Sequence, residues 1–267
     1  MPIKIKQENG LPFSMKISII TACFNRQRTI GDTIESVLSQ DYSDIEYIIV
    51  DGASNDGTMD VVEKYRDRIT HIVSEPDSGM YEGINKGLAL ATGDVIGLLH
   101  SDDVFYANDT ISRIAKEFQR TRAQFVYGNG IFVRPNNKDS VVRDWISGFY
   151  TREKVEHGWL PLHTSVFVRR EVIDICGNYD QKFKISADSE WLLRCLYVNS
   201  LRVSYINEYI VCMRMGGYST NFSLTKKKWR EDLQLYHLHG LSPYFSLFCK
   251  IMQKIPQFAK AWMKRKI

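Results

Sequence analysis

Residues 95–103 read VIGLLHSDD, five apolar residues that stop at a polar run ending in two adjacent acids. A short apolar run bounded by polar residues is the pattern of a strand buried on both faces, as in a parallel sheet. Three runs of the same kind lie upstream: Lys16–Ala22 (KISIITA), Ile45–Val50 (IEYIIV) and Ile69–Val73. Helical spacing separates them. Thr29–Gln40 carries Ile30, Ile34, Val37 and Leu38 on one face; Met59, Val62 and Tyr65 mark a short helix after the turn-forming Asp51–Thr58 (DGASNDGT); Tyr81–Ala91 is a third. Strand and helix in alternation specify an α/β fold with a parallel sheet. Right-handed crossovers give the order 3-2-1-4 most simply, which sets the ends of strands one and four side by side. Ligands bind at such a switch point, so Cys23-Phe24-Asn25-Arg26, Asp51 and His100-Ser101-Asp102-Asp103 are expected to converge there.

Downstream, the spacing predicts a helix over Thr110–Arg120, a strand over Gln124–Gly128, a polar turn at Pro135-Asn136-Asn137 and a less regular stretch to Leu162. A strand at Thr164–Val168, a helix at Ser189–Val198 and a strand at Arg202–Ile206 follow. The division this predicts is a loose leader over residues 1–14, a domain over 15–225 with a nucleotide-side half (15–105) and an acceptor-side half (106–225), and a basic tail over 226–267.

The 267 residues, 44% hydrophobic and 25% charged, are those of a globular chain able to bury a sizeable core. Five cysteines without CxxC spacing read as reduced and buried. Neither a cleaved signal nor a spanning run of about eighteen apolar residues is evident, so a cytoplasmic protein is expected. The net charge of +4 is uneven: Lys226–Ile267 holds ten Lys or Arg against two acids, a net +8, leaving −4 on the rest. A mildly acidic body argues against a nucleic-acid-binding core, and a basic end suits an anionic surface.

Paired carboxylates past a strand end supply hard oxygen ligands, which suit Mg²⁺ or Mn²⁺ on the phosphates of a nucleotide. Standing alone, Asp102-Asp103 would read first as a solvated turn or a helix cap. The pair comes, however, in order with ITACFNR, IIVDGASNDGT, SEPDSGMYEGINKGLALATGD and SADSEW. Over about residues 15 to 215 the chain resembles the inverting family 2 glycosyltransferases, which have the Rossmann-like GT-A fold, with Gly52 and His100 at positions where that family often has acids.

The resemblance implies transfer of a sugar from a nucleotide-diphospho sugar to an acceptor hydroxyl, often on a lipid-linked glycan in bacterial surface-polysaccharide assembly. It implies that Thr21, Phe24, Asn25 and Arg28 lie on the donor, that Asp51 meets the base or ribose, and that Asp102 meets the ribose or a nearby hydroxyl. It places Asp103 on the metal. Asp77, Gly79, Tyr81, Asn85 and Lys86 match the segment D-x-G-x-Y-x-x-x-N-K, in which Tyr81 and Asn85, four apart on one helix face, are expected to point together at the donor. Asp188 matches the general base, with Glu190 as fallback; the alternative is that Asp188 only caps the following helix. Trp191 and Tyr179 read as core rather than as a sugar platform, and His163 as either an acceptor-pocket residue or a core histidine.

Two other functions stay open at this level. A sugar-nucleotide nucleotidyltransferase would carry a Gly-rich basic loop after strand one, where the chain reads CFNRQRT. A non-catalytic sugar-nucleotide-binding module would have no use for Asp188. The same CFNRQRT lacks the GxGxxG of dinucleotide enzymes. In the tail, Leu241, Tyr244, Phe245, Leu247, Phe248, Ile251, Met252, Ile255, Phe258 and Trp262 alternate with Lys250, Lys254, Lys260, Lys264, Arg265 and Lys266, and Pro256 predicts two short helices. Peripheral contact with an anionic membrane is expected; the alternative seats are the catalytic body and a second copy of the chain in a homo-oligomer.

Overall fold

The computed structural model describes residues 15–135, 137–216 and 224–258. The leader over 1–14 and the tail residues Lys260, Trp262, Lys264, Arg265 and Lys266 lie outside them. The first half runs β1 (Ile17–Cys23), α1 (Ile30–Leu38), β2 (Ile45–Asp51), α2 (Thr58–Val62) continued by a 3-10 turn (Glu63–Arg68), β3 (His71–Ser74), α3 (Met80–Leu90) and β4 (Val95–Leu98). β1 pairs in parallel with β2 and β4, and β2 with β3, so the order β3-β2-β1-β4 is the one the crossovers dictate.

The second half adds β5 (Val104–Phe105), α4 (Thr110–Thr121), β6 (Phe125–Arg134), β7 (Asn137–Trp145), α5 (Arg152–Glu156), β8 (Phe167–Arg169), α6 (Arg170–Cys176), α7 (Ala187–Leu193), β9 (Val203–Arg214), α8 (Thr225–Leu238) and α9 (Pro243–Met252). Short β8 lies antiparallel between β4 and β6, and β6 pairs in parallel with β9, so one sheet of nine described strands spans both halves. At this seam Gly97 has no alternative: a Cβ there would stand 2.3 Å from the Phe167 ring.

Four expectations are corrected. The stretch from Asn137 contains β7, whose sequence NKDSVVRDW lacks an apolar run because, among the described strands, it pairs with β6 alone at the edge of the sheet. The strand expected at Thr164–Val168 begins as a 3-10 turn (His163–Ser165), and that at Arg202–Ile206 continues to Arg214 through a bulge opposite Tyr127–Gly130. The helix expected over Ser189–Val198 starts two residues earlier and ends in a π turn (Arg194–Val198).

Alternate residues of β1 feed two cores on opposite faces of the sheet. Ile20 and Ala22 join α3, α7 and α8 through Ile84, Trp191, Leu192, Leu235 and Tyr236; Ile17, Ile19 and Cys23 join α1 and α4 through Ile34, Ile111 and Phe118. Burying each such side chain contributes about 1.5–3 kcal/mol. α8 and α9 are therefore seated on the body, with Leu241 and Leu247 in the same core. Tyr244, Phe245, Phe248, Met252 and Ile255 remain exposed. All five cysteines are unbridged; four are buried.

Candidate active site

A cleft of about 960 Å³ opens at the ends of β1 and β4 and extends between α7, β7 and α9. Its floor is the loop His100–Asp103. α1 holds that loop from below: Thr29 Oγ1 donates to the Ser101 carbonyl at 2.8 Å and Thr33 Oγ1 to the Asp103 carbonyl at 2.8 Å. Asp102 is half-buried, whereas Asp103 is 1% exposed. Asp103 Oδ1 accepts the Arg214 backbone N–H at 3.2 Å, and the Arg214 guanidinium pairs with Asp32 and donates to the Asp102 carbonyl at 3.2 Å.

Asp103 Oδ2 is buried without a hydrogen-bond partner. Burial, and then the neighbouring Asp102 charge, push its carboxyl well above the ordinary range. A buried carboxylate oxygen with no donor is a group waiting for a cation, so the chemistry of Asp103 fits a hard divalent ion. No group of three or more His, Cys, Asp or Glu able to hold a metal occurs among the described residues. An ion here would take its other ligands from a bound phosphate and water.

Asp188 lies in the first turn of α7, whose cap is Ser186. The cap reading of Asp188 is thus corrected; its Oδ1 accepts the Ser189 N–H at 2.7 Å and lies 3.4 Å from the Tyr81 hydroxyl. Burial opposes its ionisation, but His163, Lys228, Lys250 and the Ser189 N–H together outweigh it and hold the carboxyl below the ordinary range. His163 is held neutral, near 4, by burial. At neutral pH the cations that matter to Asp188 are therefore the two lysines. Glu190 turns away into an ion pair with Arg194 at 2.8 Å and a contact with His239 at 3.1 Å.

The cleft brings together Phe24, Asp77, Tyr81, Asp102, Asp103 and Asp188 from the expected set. Thr21, Asn25, Arg28, Asp51, Asn85 and Lys86 do not line it. Thr21 is buried against the Tyr47 hydroxyl at 3.2 Å. Asn25, in the left-handed region at φ 54°, accepts the Asn55 N–H at 3.0 Å and ties two loops together. Fully buried Asp51 accepts from Ser54 N–H (2.9 Å), Ser74 Oγ (2.7 Å), Ser54 Oγ and Cys23 Sγ. Tyr81 and Asn85 do not point together. Tyr81 donates to the Ile185 carbonyl at 2.9 Å, while Asn85 exchanges two hydrogen bonds with the Tyr179 backbone at 2.9 and 3.0 Å. Lys86 is spent on Glu75, Glu82 and the Pro76 carbonyl.

Gly52, which departs from the acid common in the resembled family, faces Asp77: a Cβ at Gly52 would lie 2.8 Å from Asp77 Oδ2, so the Asp77 carboxylate fills that space. Trp191 and Tyr179 are core, stacked at 5.1 Å. His163 meets both readings, lining the cleft and bonding the Tyr179 hydroxyl at 2.7 Å.

Sequence reading missed Glu231. From α8 it accepts the backbone N–H groups of Lys184, Ile185 and Ser186 at 3.2, 2.8 and 2.9 Å, which fixes the loop that delivers Asp188. It missed Arg143 on β7 as well, and it assigned Lys250 and Lys254 to an outer surface although both line the cleft.

Comparison with known proteins agrees with this architecture. Residues 18–174 match the family model described as Glycosyl transferase family 2. An uncharacterized glycosyltransferase of Nostoc sp. is 39% identical over 245 residues, 87% of this chain and 67% of that one. Among solved structures, S. aureus TarS superposes with a TM-score of 0.65 at 18% identity over 83% of this chain, which spans 39% of the TarS chain. The mannosyltransferase PcManGT from Pyrobaculum calidifontis, solved with GDP-Man and Mn²⁺, superposes with a TM-score of 0.63 at 17% identity over 94% of this chain and 74% of its own.

Proposed function

Since the chain belongs to glycosyl transferase family 2, we propose that it moves a sugar from a nucleotide-diphospho sugar to a hydroxyl of a lipid-linked glycan, with inversion at the anomeric carbon. The observation that carries this reading is an ionised Asp188 and an unpartnered Asp103 Oδ2 in one cleft. Asp188 takes the proton of the acceptor hydroxyl as its oxygen bonds the anomeric carbon, and the bond from that carbon to the diphosphate breaks on the opposite face. Tyr81 keeps Asp188 in place, and Ala22, Phe24 and Gly52 give the donor a wall. Asp103, with Asp102 beside it, would hold Mg²⁺ or Mn²⁺, which supplies positive charge to the departing diphosphate. PcManGT, solved with both a nucleotide sugar and Mn²⁺, supports this assignment.

The test is binding and turnover with a panel of nucleotide sugars, with and without Mn²⁺. The wild-type chain is expected to bind a nucleoside diphosphate more tightly with Mn²⁺, and Asp103→Ala to bind it equally weakly in both conditions. Unchanged metal dependence in Asp103→Ala would overturn the metal assignment, and absence of transfer from every donor the reading as a whole.

A further inference from the structure

Around Asp188 the cleft wall carries Arg143 of β7, Lys228 of α8, Lys250 of α9 and Lys254 two residues past α9, with Lys154, Lys184 and Lys227 also lining the cleft. Arg143 is the most enclosed, 8% exposed, with its guanidinium 4.1 Å over the Trp145 ring and 5.0 Å over Phe132. Its Nε donates to Gln257 Oε1 at 2.6 Å, but its buried Nη2 has no partner. Lys250 is bonded to Asp232 at 3.0 Å and to Ser189 Oγ at 3.3 Å. Burial and then the charges of Lys228, Lys250 and Arg143 push Lys254 down to about 8, and burial pushes Arg143 down to about 10. Facing these cations are Asp232 and Asp188; Glu231 nearby is taken by three backbone N–H groups. Like charges so crowded and half-dry oppose folding unless an anion joins them.

Position assigns that anion to one substrate. Asp103 feels Asp102 and Arg214; His100 feels both Asp102 and Asp188; Asp188 feels Lys228 and Lys250. Lys250 also reaches Ser189 Oγ, one residue past Asp188, at 3.3 Å, whereas Asp103 bonds Arg214, so the lysines stand on the side of the base. α9, which supplies Lys250 to the cleft, turns Tyr244, Phe245, Phe248 and Met252 outward. One helix thus offers charge inside and apolar surface outside, a match to a phosphate carried on a lipid chain.

Resting on the glycosyl-transfer reading, we propose that Arg143, Lys228, Lys250 and Lys254 form a subsite for a phosphate or diphosphate group of the acceptor, with its lipid running out along α9. The test uses the full chain in EDTA, with inorganic pyrophosphate as one probe and farnesyl diphosphate in phosphatidylcholine vesicles as the other. Pyrophosphate is expected to bind, Arg143→Gln and Lys254→Gln to weaken it at least tenfold, and the lipid-borne probe to bind more tightly than the inorganic one. Lys254 is half-buried, so Lys254→Gln reports even where Arg143→Gln fails to fold. Unchanged pyrophosphate affinity in Lys254→Gln overturns the subsite, as does equal loss of nucleoside diphosphate binding with Mn²⁺, which would give the cations to the donor. No advantage of the lipid-borne probe overturns the lipid assignment. Failure of the glycosyl-transfer reading is distinct: it appears as no nucleoside diphosphate binding in the wild-type chain, whatever pyrophosphate does.

Discussion

Asp188 and Asp103 are both acids in a protein interior, yet their surroundings drive them in opposite directions. His163, Lys228 and Lys250 hold the Asp188 carboxyl below the ordinary range against its burial, whereas burial and then Asp102 push that of Asp103 well above it. Asp188→Asn preserves shape and removes basicity, so turnover is expected to fall several hundredfold, within the 10²–10⁴-fold scale of general-base catalysis, with donor affinity unchanged. Steady-state kinetics with a matched donor and acceptor would decide; near-normal transfer would leave Asp188 a structural residue. Lys228→Gln removes one of the charges that lower the Asp188 carboxyl, so the acid limb of kcat/KM is expected to move to higher pH. A limb that stays in place would mean Lys228 does not reach Asp188. Both acids were legible in the sequence, because chemistry concentrates where strands end and helices begin. Arg143 and Asn85 were not: the first acquires its role by meeting Gln257, 114 positions away, and the second spends its amide on the backbone of Tyr179.

At the scale of elements, α8 decides where α7 begins. Three N–H groups of the loop over Lys184–Ser186 converge on one carboxylate, Glu231, and no other described acid performs that task for them. Glu231→Gln keeps one acceptor oxygen and is expected to cost about 1–3 kcal/mol of stability, and to lower kcat while leaving the KM for donor. Urea unfolding and kinetics together test this; a fall in donor affinity with kcat intact would contradict it. The basic tail and the catalytic body are continuous in this respect, which composition concealed, since lysine content reads the same whether the ammonium groups face solvent or a cleft. The buried parallel strands were legible through their apolar runs. β7 was not, because a polar edge strand leaves no such mark, and β8 was legible only in part, since the strand expected at Thr164–Val168 is confined to Phe167–Arg169 between two partners.

For the whole molecule, two predictions concern how the frame holds and where it sits. Glu46, 2% exposed, accepts from Lys16, Ser18 and both polar groups of Thr92, which outweigh the cost of burial and lower its carboxyl to about 2. A carboxyl lowered on folding contributes stability above its unfolded value and loses it as pH falls toward the folded one. Glu46→Gln should therefore be less stable by about 3 kcal/mol at pH 7, and the gap should close between about pH 4.5 and 2. Denaturant midpoints at several pH values would show it; a gap independent of pH would refute the assignment. Among the described residues no helix is long and apolar enough to cross a membrane. The outward Tyr244, Phe245, Phe248 and Ile255 are expected to seat the chain on anionic vesicles. Sedimentation should show salt-sensitive pelleting that the combined change Phe245→Ser, Phe248→Ser and Ile255→Ser abolishes. Equal pelleting of both proteins would remove α9 from that role.

The two cores on either face of the sheet have a consequence for descent. Asp103 is braced from α1 on one face, Asp188 from α7 and α8 on the other, and only the stiff strands between them are shared. Substitutions among the α7 and α8 side chains around Asp188 need not disturb the packing of α1 under Asp103. On the roles proposed for these two acids, a lineage built this way can vary the surroundings of Asp188 while inheriting intact the seat of Asp103, and its diversity should accumulate on one side of the sheet.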